Sequence, residues 1–531
     1  MIRRPLLAAF GLAIAHGAIA ASAPVLPTPA TPPPAASDVA ATSRHFEAIR
    51  ASPEQLLPFL RAFPKGSDLH NHLVGAIYAE HMIDWATRDQ LCINPETGAI
   101  GPARCTPGLR GTREGMAASA IAADPALYGH EVDTLSMRNF VPTPNDRSGH
   151  DHFFSTFDRF MPATFAHNAD MLADALNQAG YDHVHYVELM ISPQLMPVAT
   201  LGASTPVTGA ADFGAAIDAF SPRFAPMIRG ARDETDAMEH GARALMKCGT
   251  PAATPGCEVS VRYLYQTVRT MPPGMVLAQL AFGYALVQAD PRFVGINIVA
   301  PEDNPVAMRD YALHMQMFRT LSARSPSVKL SLHAGELASG LVPPEGMRDH
   351  IRQAVEIAGA KRIGHGVDVM QERDPYGLLA EMAKRRVMVE INLTSNDEIL
   401  GVKGAAHPLM SYRAQSVPVS LSTDDEGVSR SDLTSEYVRA AQTYPLSYDD
   451  LRDLSRTGLE YAFIPGDSLW SSTRPWHVTA ACSGIAPDAR APEGACHDLL
   501  AHSEKARLQW ALEADFARFE HAVATGEAPR D

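Results

Sequence analysis

Short apolar runs recur along the chain, separated by longer stretches with helical spacing. Asp68–His72, Val184–Met190, Val259–Tyr265, Phe293–Val299, Val328–His333, Arg362–His365, Val387–Leu393 and Val417–Thr423 read as strands. Gly274–Gln288, Ala307–Ala323 and Met347–Ala358 read as helices between them. Strand–helix alternation over this length implies a parallel sheet, and this number of repeats predicts a closed α/β barrel, the (β/α)8 TIM barrel. Such barrels place their chemistry at the C-terminal ends of the strands. In Val328 to His333, His333 shares a strand face with Ser331 while the apolar residues share the other. In Val419 to Asp424, Asp424 shares a face with Ser420 and Ser422. Small polar residues facing inward leave room at the barrel mouth.

Two regions break the repeat. Leu91 to Gly149 is rich in Gly, Pro and Ala, and reads as an insertion after the first strand that helps form a lid at the mouth. Residues 466–496 are loop-rich, and His497 to Ala524 has amphipathic spacing (Leu499, Leu500, Leu508, Leu512, Phe516, Phe519), predicting a terminal helix packed on the barrel. The barrel domain is expected over 46–465, with the insertion at about 91–149 and the C-terminal extension over 466–531. At the other end, Arg3 and Arg4, the apolar Leu6 to Ile14 and Ala18-Ile19-Ala20 read as a signal peptide over 1–20, too short to span a bilayer. Pro- and Ala-rich residues 21–45 follow as an extended tether. The expected location is periplasmic or extracellular, with no membrane attachment after cleavage.

Composition narrows the partners. With 531 residues, 46% of them hydrophobic, the chain can bury a large core, and its formal charge of −15 argues against nucleic acid. Six cysteines form sequence-local pairs, none as C-x-x-C: Cys92 with Cys105, Cys248 with Cys257, and Cys482 with Cys496. Local disulfides are the simplest pairing, although sequence alone does not choose among the connectivities.

The candidate chemistry sits at strand ends. His70 and His72 in Ser67-Asp68-Leu69-His70-Asn71-His72 point to one face and make half of a metal site. Ser331-Leu332-His333-Ala334-Gly335-Glu336, Ile363-Gly364-His365-Gly366 and Ser422-Thr423-Asp424-Asp425 each end another run. His70, His72, His333 and Asp424 would supply three imidazoles and a carboxylate, a donor set suited to zinc. Glu336 stands where a buried carboxyl could protonate a heteroaromatic ring nitrogen, His365 where it could orient water, and Asp425 where it could bond a substrate ring. Taken singly, each has a plain reading: a buried histidine, a tight turn, a helix cap. Together, in barrel order and with matching parity, they are poorly explained by chance.

Pro64-Lys65-Gly66-Ser67-Asp68-Leu69-His70-Asn71-His72, Tyr186-Val187-Glu188-Leu189 and the three later motifs resemble the adenosine deaminase family, and the lead-in, leader and insertion resemble its secreted, growth-factor-like branch. The resemblance covers roughly residues 60–465. It implies a (β/α)8 barrel with one zinc per chain that converts adenosine, and often 2′-deoxyadenosine, to inosine and ammonia. It implies His70, His72, His333 and Asp424 as ligands, Glu336 as proton donor to the purine, His365 as catalytic histidine and Asp425 as purine contact. Ser395-Asn396 and His407-Pro408 also resemble family sequence. The family often has an aspartate touching ribose where this chain has Val74, and a glycine contacting purine where it has Ala300, beside Pro301 and Glu302. Ala300 keeps the backbone N–H, and Glu302 either touches substrate or caps the next helix. The expected ligand is a small purine nucleoside. Rival readings are deamination of adenine or a modified nucleoside, ester or amide hydrolysis on a related barrel, and a catalytically dead barrel used for binding or signalling. AMP fits less well, because no Arg or Lys is identified for its phosphate. Zinc deaminases acting on cytidine use H-x-E with P-C-x-x-C, and this chain has no C-x-x-C.

Overall fold

Eight strands run parallel in one sheet, neighbours in space in the order of the chain: β1 (Lys65–His72), β2 (Val184–Ile191), β3 (Ser260–Val268), β4 (Phe293–Val299), β5 (Lys329–Ala334), β6 (Arg362–His365), β7 (Met388–Ile391) and β8 (Val419–Leu421). The structure is a computed structural model and describes residues 34–105, 115–144, 146–486 and 492–527. The sheet closes where the Asp424 N–H donates to the His70 carbonyl at 2.8 Å and the His72 N–H donates to the Asp424 carbonyl at 3.2 Å. This is the (β/α)8 barrel that the pattern predicted. β6, β7 and β8 are wholly buried, as strands covered on both faces must be.

Several elements differ in extent from the sequence expectation: the first strand begins at Lys65 and the third runs on to Val268. β7 stops at Ile391 instead of Leu393, because the Glu436 carboxylate accepts the N–H groups of Leu393 (2.8 Å) and Thr394 (3.2 Å) and starts a helix there, Leu393–Leu400. β8 leaves the ladder at Leu421 and reaches Asp424, which turns in the left-handed region (φ 64°). The helix expected over Met347–Ala358 is broken into short turns at Pro344–Met347, His350–Gln353 and Ala354–Ala358. There the Glu372 carboxylate takes the Ile351 N–H at 2.7 Å.

The barrel axis carries charge. The Arg362 guanidinium, fully buried in β6, pairs with Glu188 on β2 at 2.5 Å and with Glu390 on β7 at 2.6 Å, and lies 3.9 Å from the centre of the Phe463 ring. Removing one partner from such a buried set typically costs about 3–5 kcal/mol, because it strands a charge. The other Glu390 oxygen reaches up to the site.

The insertion forms a small antiparallel sheet of Leu91–Ile93, Ile100–Arg104 and Met116–Ala117, tied by the Cys92–Cys105 disulfide. It leads into a helix over Gly149–Thr164, capped by Ser148, whose Oγ accepts the Asp151 N–H at 3.1 Å. Disulfides Cys248–Cys257 and Cys482–Cys496 complete the local pairing expected from the sequence. The tether placed over 21–45 is corrected in its second half: a helix runs from Pro34 to Ile49 and packs on the C-terminal helix Glu504–Thr525. Pro at the first helical turn followed by Ala-rich sequence permits this, and Phe46 anchors it against Phe59 and Tyr448. The terminal helix is not continuous from His497. It breaks after Gly494–His502, where Ser503 caps the next helix through the Ala506 N–H. The leader falls outside the described residues. Among the described residues, no helix is long and apolar enough to cross a membrane.

Candidate active site

β1 delivers the first two imidazoles. Its register with β2 shifts between Asp68 and Asn71, the kind of irregularity that re-aims side chains at a barrel rim. Gly364 makes room on the facing strand, since a Cβ there would come 2.4 Å from Cε1 of His70. His333, at the end of β5, places its Nε2 3.1 Å from His70 Nε2 and 3.3 Å from His72 Nε2. Asp424 Oδ1 lies 3.4 Å and 3.3 Å from the same two nitrogens of His70 and His72. A tetrahedron built on zinc–nitrogen bonds of about 2.0–2.1 Å has edges of about 3.3–3.4 Å.

The donors are prepared for a cation. Nδ1–H of His70 donates to Glu390 at 2.7 Å, that of His72 to Gln266 at 3.0 Å and that of His333 to Asn297 at 2.6 Å. An acceptor on every Nδ1 leaves every Nε2 lone pair pointing at the centre. Burial, reinforced by the neighbouring imidazoles, holds His333 well below the usual histidine range, so its ring is neutral. Asp424 Oδ1 is buried without a hydrogen-bond partner, and Oδ2 accepts from Ser395 Oγ at 2.7 Å. Three ring nitrogens facing one carboxylate oxygen suit a divalent ion; without one, although burial lowers it, hydrogen bonds and charges from Asp424 and Glu390 raise His70 to about 10, and a proton stands where the cation would. His70, His333, His365 and Asp424 bring donor atoms within 4.8 Å of one another, and His72 groups with Asp424 and Asp425; the His365 Nε2 is 4.0 Å from Asp424 Oδ2.

Next to this nest stand three more titratable groups. Burial, and then the Asp424 charge, pushes the Glu336 carboxyl well above the usual carboxylate range. The same two causes raise Asp425 to about 8. Asp425 is admitted by Gly75, where a Cβ would fall 1.6 Å from its Oδ1. His365 is held by burial at about 3; its Nδ1 accepts from Asn396 at 2.9 Å, and its Nε2 lies 3.6 Å from Glu336 Oε1. Ala300, His365 and Asp424 all adopt positive φ (83°, 68° and 64°). Left-handed backbone at non-glycine residues costs about 1–3 kcal/mol each and gathers where a site over-determines geometry.

These groups open into a cavity of about 660 Å³. Its floor is His72, His333, Glu336, Asp424 and Asp425, and its wall includes Val74, Gln266 and Ala300. Its roof is the helix Gly149–Thr164, through Phe153, Phe154, Phe157, Asp158 and Met161. No Lys or Arg lines it among the described residues. Glu302 is the exception among the sequence candidates. It is 1% exposed and does not reach the cavity, because its carboxylate is turned onto the backbone of Gly335 and Glu336. Sequence reasoning also missed Glu390, Gln266 and Asn297, which orient the imidazoles. Glu390 and Asn297 are single polar residues on otherwise apolar strands, which was their one available signal, whereas the half-buried Gln266 shares its strand with Ser260, Arg262 and Thr267 and carried none.

Residues 132–470, more than half of the chain, match the family model described as adenosine deaminase. The chain belongs to the adenosine deaminase family. Within that family it is 36% identical to an adenosine deaminase of Escherichia coli over 146 residues, which are 27% of this chain and 40% of the relative. It is 28% identical to one from Clostridium perfringens over 181 residues, 34% and 51% of the two chains. The aligned part therefore spans about half, or less, of the length of these curated relatives. The same barrel fold is found in Arabidopsis ADAL complexed with GMP (TM-score 0.50, 18% identity, covering 76% of this chain and 94% of that one). It is found again in an ADAL–IMP complex (TM-score 0.50, 19% identity, 77% and 94%).

Proposed function

We propose that this adenosine deaminase family member hydrolyses a carbon–nitrogen bond of adenosine, and of 2′-deoxyadenosine, giving inosine and ammonia from nucleoside and water. The observation that carries this reading is the close approach of three imidazoles and a carboxylate beside a cavity lined by a buried, proton-holding Glu336. His70, His72, His333 and Asp424 would hold one zinc ion per chain. Zinc so held supplies Lewis acidity that brings the pKa of a water to about 7.

The remaining work falls to this chain's own side chains. Glu336 gives its proton to the purine ring nitrogen nearest the amino group, so that electron density arriving at the ring has somewhere to go. His365, neutral and with Nδ1 taken up by the Asn396 side-chain N–H, turns Nε2–H toward the attacking water and orients it by donating to its oxygen, and the proton the water gives up replaces the one Glu336 has passed to the ring. Asp425 and the Ala300 N–H fix the purine plane. The roof helix excludes bulk water, which strengthens each of these interactions. Absence of a cation from the described lining favours a neutral nucleoside over a nucleotide such as AMP. Three disulfides suit an oxidising compartment, and we propose export by the leader over 1–20, with 46–465 as the catalytic domain.

The test is ammonia release from adenosine, deoxyadenosine, adenine and AMP by purified zinc-replete protein. Adenosine and deoxyadenosine are expected to turn over fastest. Preferential turnover of adenine would move the reading to another aminopurine, and no release from any of the four would overturn deamination.

A further inference from the structure

Glu302 stands on the loop after β4, buried and aimed away from the cavity. It does not cap the following helix, because Asn304 does so, its Oδ1 accepting the Val306 N–H at 2.9 Å. Its two oxygens accept the backbone N–H groups of Gly335 (3.1 Å) and Glu336 (2.9 Å). On its far side, His350 Nδ1 donates to Oε1 at 2.6 Å. The His350 ring is itself fixed, stacked on Tyr311 at 3.7 Å between centroids and 4° between planes. The Tyr311 hydroxyl donates to the His350 carbonyl at 2.8 Å. Although burial raises the Glu302 carboxyl, the His350 hydrogen bond and charge and the Arg269 charge bring it down to about 2, so it stays an acceptor.

The opposite side of the same loop is clamped too. The Gly335 carbonyl accepts from the Val367 N–H at 2.8 Å and the Asp368 N–H at 3.2 Å. Gly335 sits at φ 76°, where a Cβ would come 2.5 Å from Asp368 Oδ1. The peptide that carries Glu336 is therefore gripped at its N–H groups by one carboxylate and at its carbonyl by two amides. Such duplication is more than a surface turn needs.

We infer that Glu302 is a positioning residue for Glu336, its carboxylate fixing the backbone from which the proton donor projects into the cavity. The inference rests on the proposed role of Glu336. Glu302→Gln keeps one acceptor and turns an amide N–H₂ toward the second backbone N–H, so the loop must shift. A displaced donor costs about 100-fold in kcat. KM is expected to stay within about threefold, and zinc content to stay the same, since neither ground-state binding nor the ligand set is touched. The decisive readout is non-additivity: Glu302→Gln on a Glu336→Gln background should cost nothing further. His350→Gln, which leaves Glu302 present without its imidazole, should show a smaller kcat loss of about tenfold and the same silence on the Glu336→Gln background. It decides the matter if Glu302→Gln does not fold. Wild-type turnover in either variant, or a full additional loss in the double variant, overturns the positioning role. Failure of the wild-type enzyme itself to release ammonia overturns the deaminase reading and this inference with it.

Discussion

The floor and the roof of the cavity are built on opposite plans. The floor is polar, buried and redundantly bonded: every Nδ1 of the three clustered imidazoles has an acceptor, and the Glu390–Arg362–Glu188 column holds His70 from below. The roof is the helix that follows the insertion, Gly149–Thr164, and it meets the cavity mainly with Phe153, Phe154, Phe157 and Met161. Floor residues come from strand ends spread over the whole chain, and roof residues from a single turn-by-turn run. Reactivity here depends on a few atoms placed within tenths of an ångström, whereas enclosure depends on apolar area that tolerates variation. The two should therefore fail in different ways.

The largest effect is expected on the floor. Glu336→Gln removes the transferable proton and keeps the shape, and kcat should fall by about 10³-fold with zinc retained and folding unchanged. Stopped turnover with a full metal complement is the signature; loss of zinc instead would mean that Glu336 belongs to the ligand set. On the roof, Phe157→Ala removes apolar cover without touching the reacting atoms. KM should rise about tenfold while kcat changes little. An equal fall in kcat would mean that the roof shapes the transition state too, and the contrast between the regions would be lost.

A third experiment separates the regions by pH. Glu131, in the insertion, is pushed by burial to about 8 and has an oxygen without a partner. Its folded-state pKa lies above its unfolded one, so the native state holds more protons between about 4.5 and 8. Stability should be highest below that window and decline as pH rises through it, and Glu131→Gln should flatten the decline in thermal melts taken from pH 5 to pH 8. A slope unchanged by the substitution would place the titrating group elsewhere. The smallest effect is expected at Ala300. Glycine relieves the positive φ but frees the unfolded chain, so Ala300→Gly should raise stability by about 0.5 kcal/mol with turnover intact.

The sequence exposed the floor more readily than the roof, for a physical reason. His70, His72, His333, His365 and Asp424 are polar residues at the ends of apolar runs, and strand parity places them on one side. The barrel followed from the same alternation. The roof helix has no such marker. His152 to Met161 is an apolar, aromatic stretch at helical spacing that reads as ordinary packing, and only the path of the insertion brings it over the mouth. Glu302 was misread because its carboxylate turns onto backbone N–H groups distant in sequence, which no local pattern reveals. The helix over Pro34–Ile49 was hidden by the Pro-rich sequence preceding it.

That helix has a consequence for how the chain can be rearranged. It lies along Glu504–Thr525, joined by the Thr42 hydroxyl to the Glu520 carbonyl at 3.3 Å and by Asp38 to His521 at 3.1 Å. The first and last described helices are neighbours beside Phe63, just ahead of β1 and away from the mouth. Over the described residues the polypeptide is thus nearly a ring. A short linker could join the two helices, and new ends could be cut into an exposed loop elsewhere, with the catalytic rim left as it is.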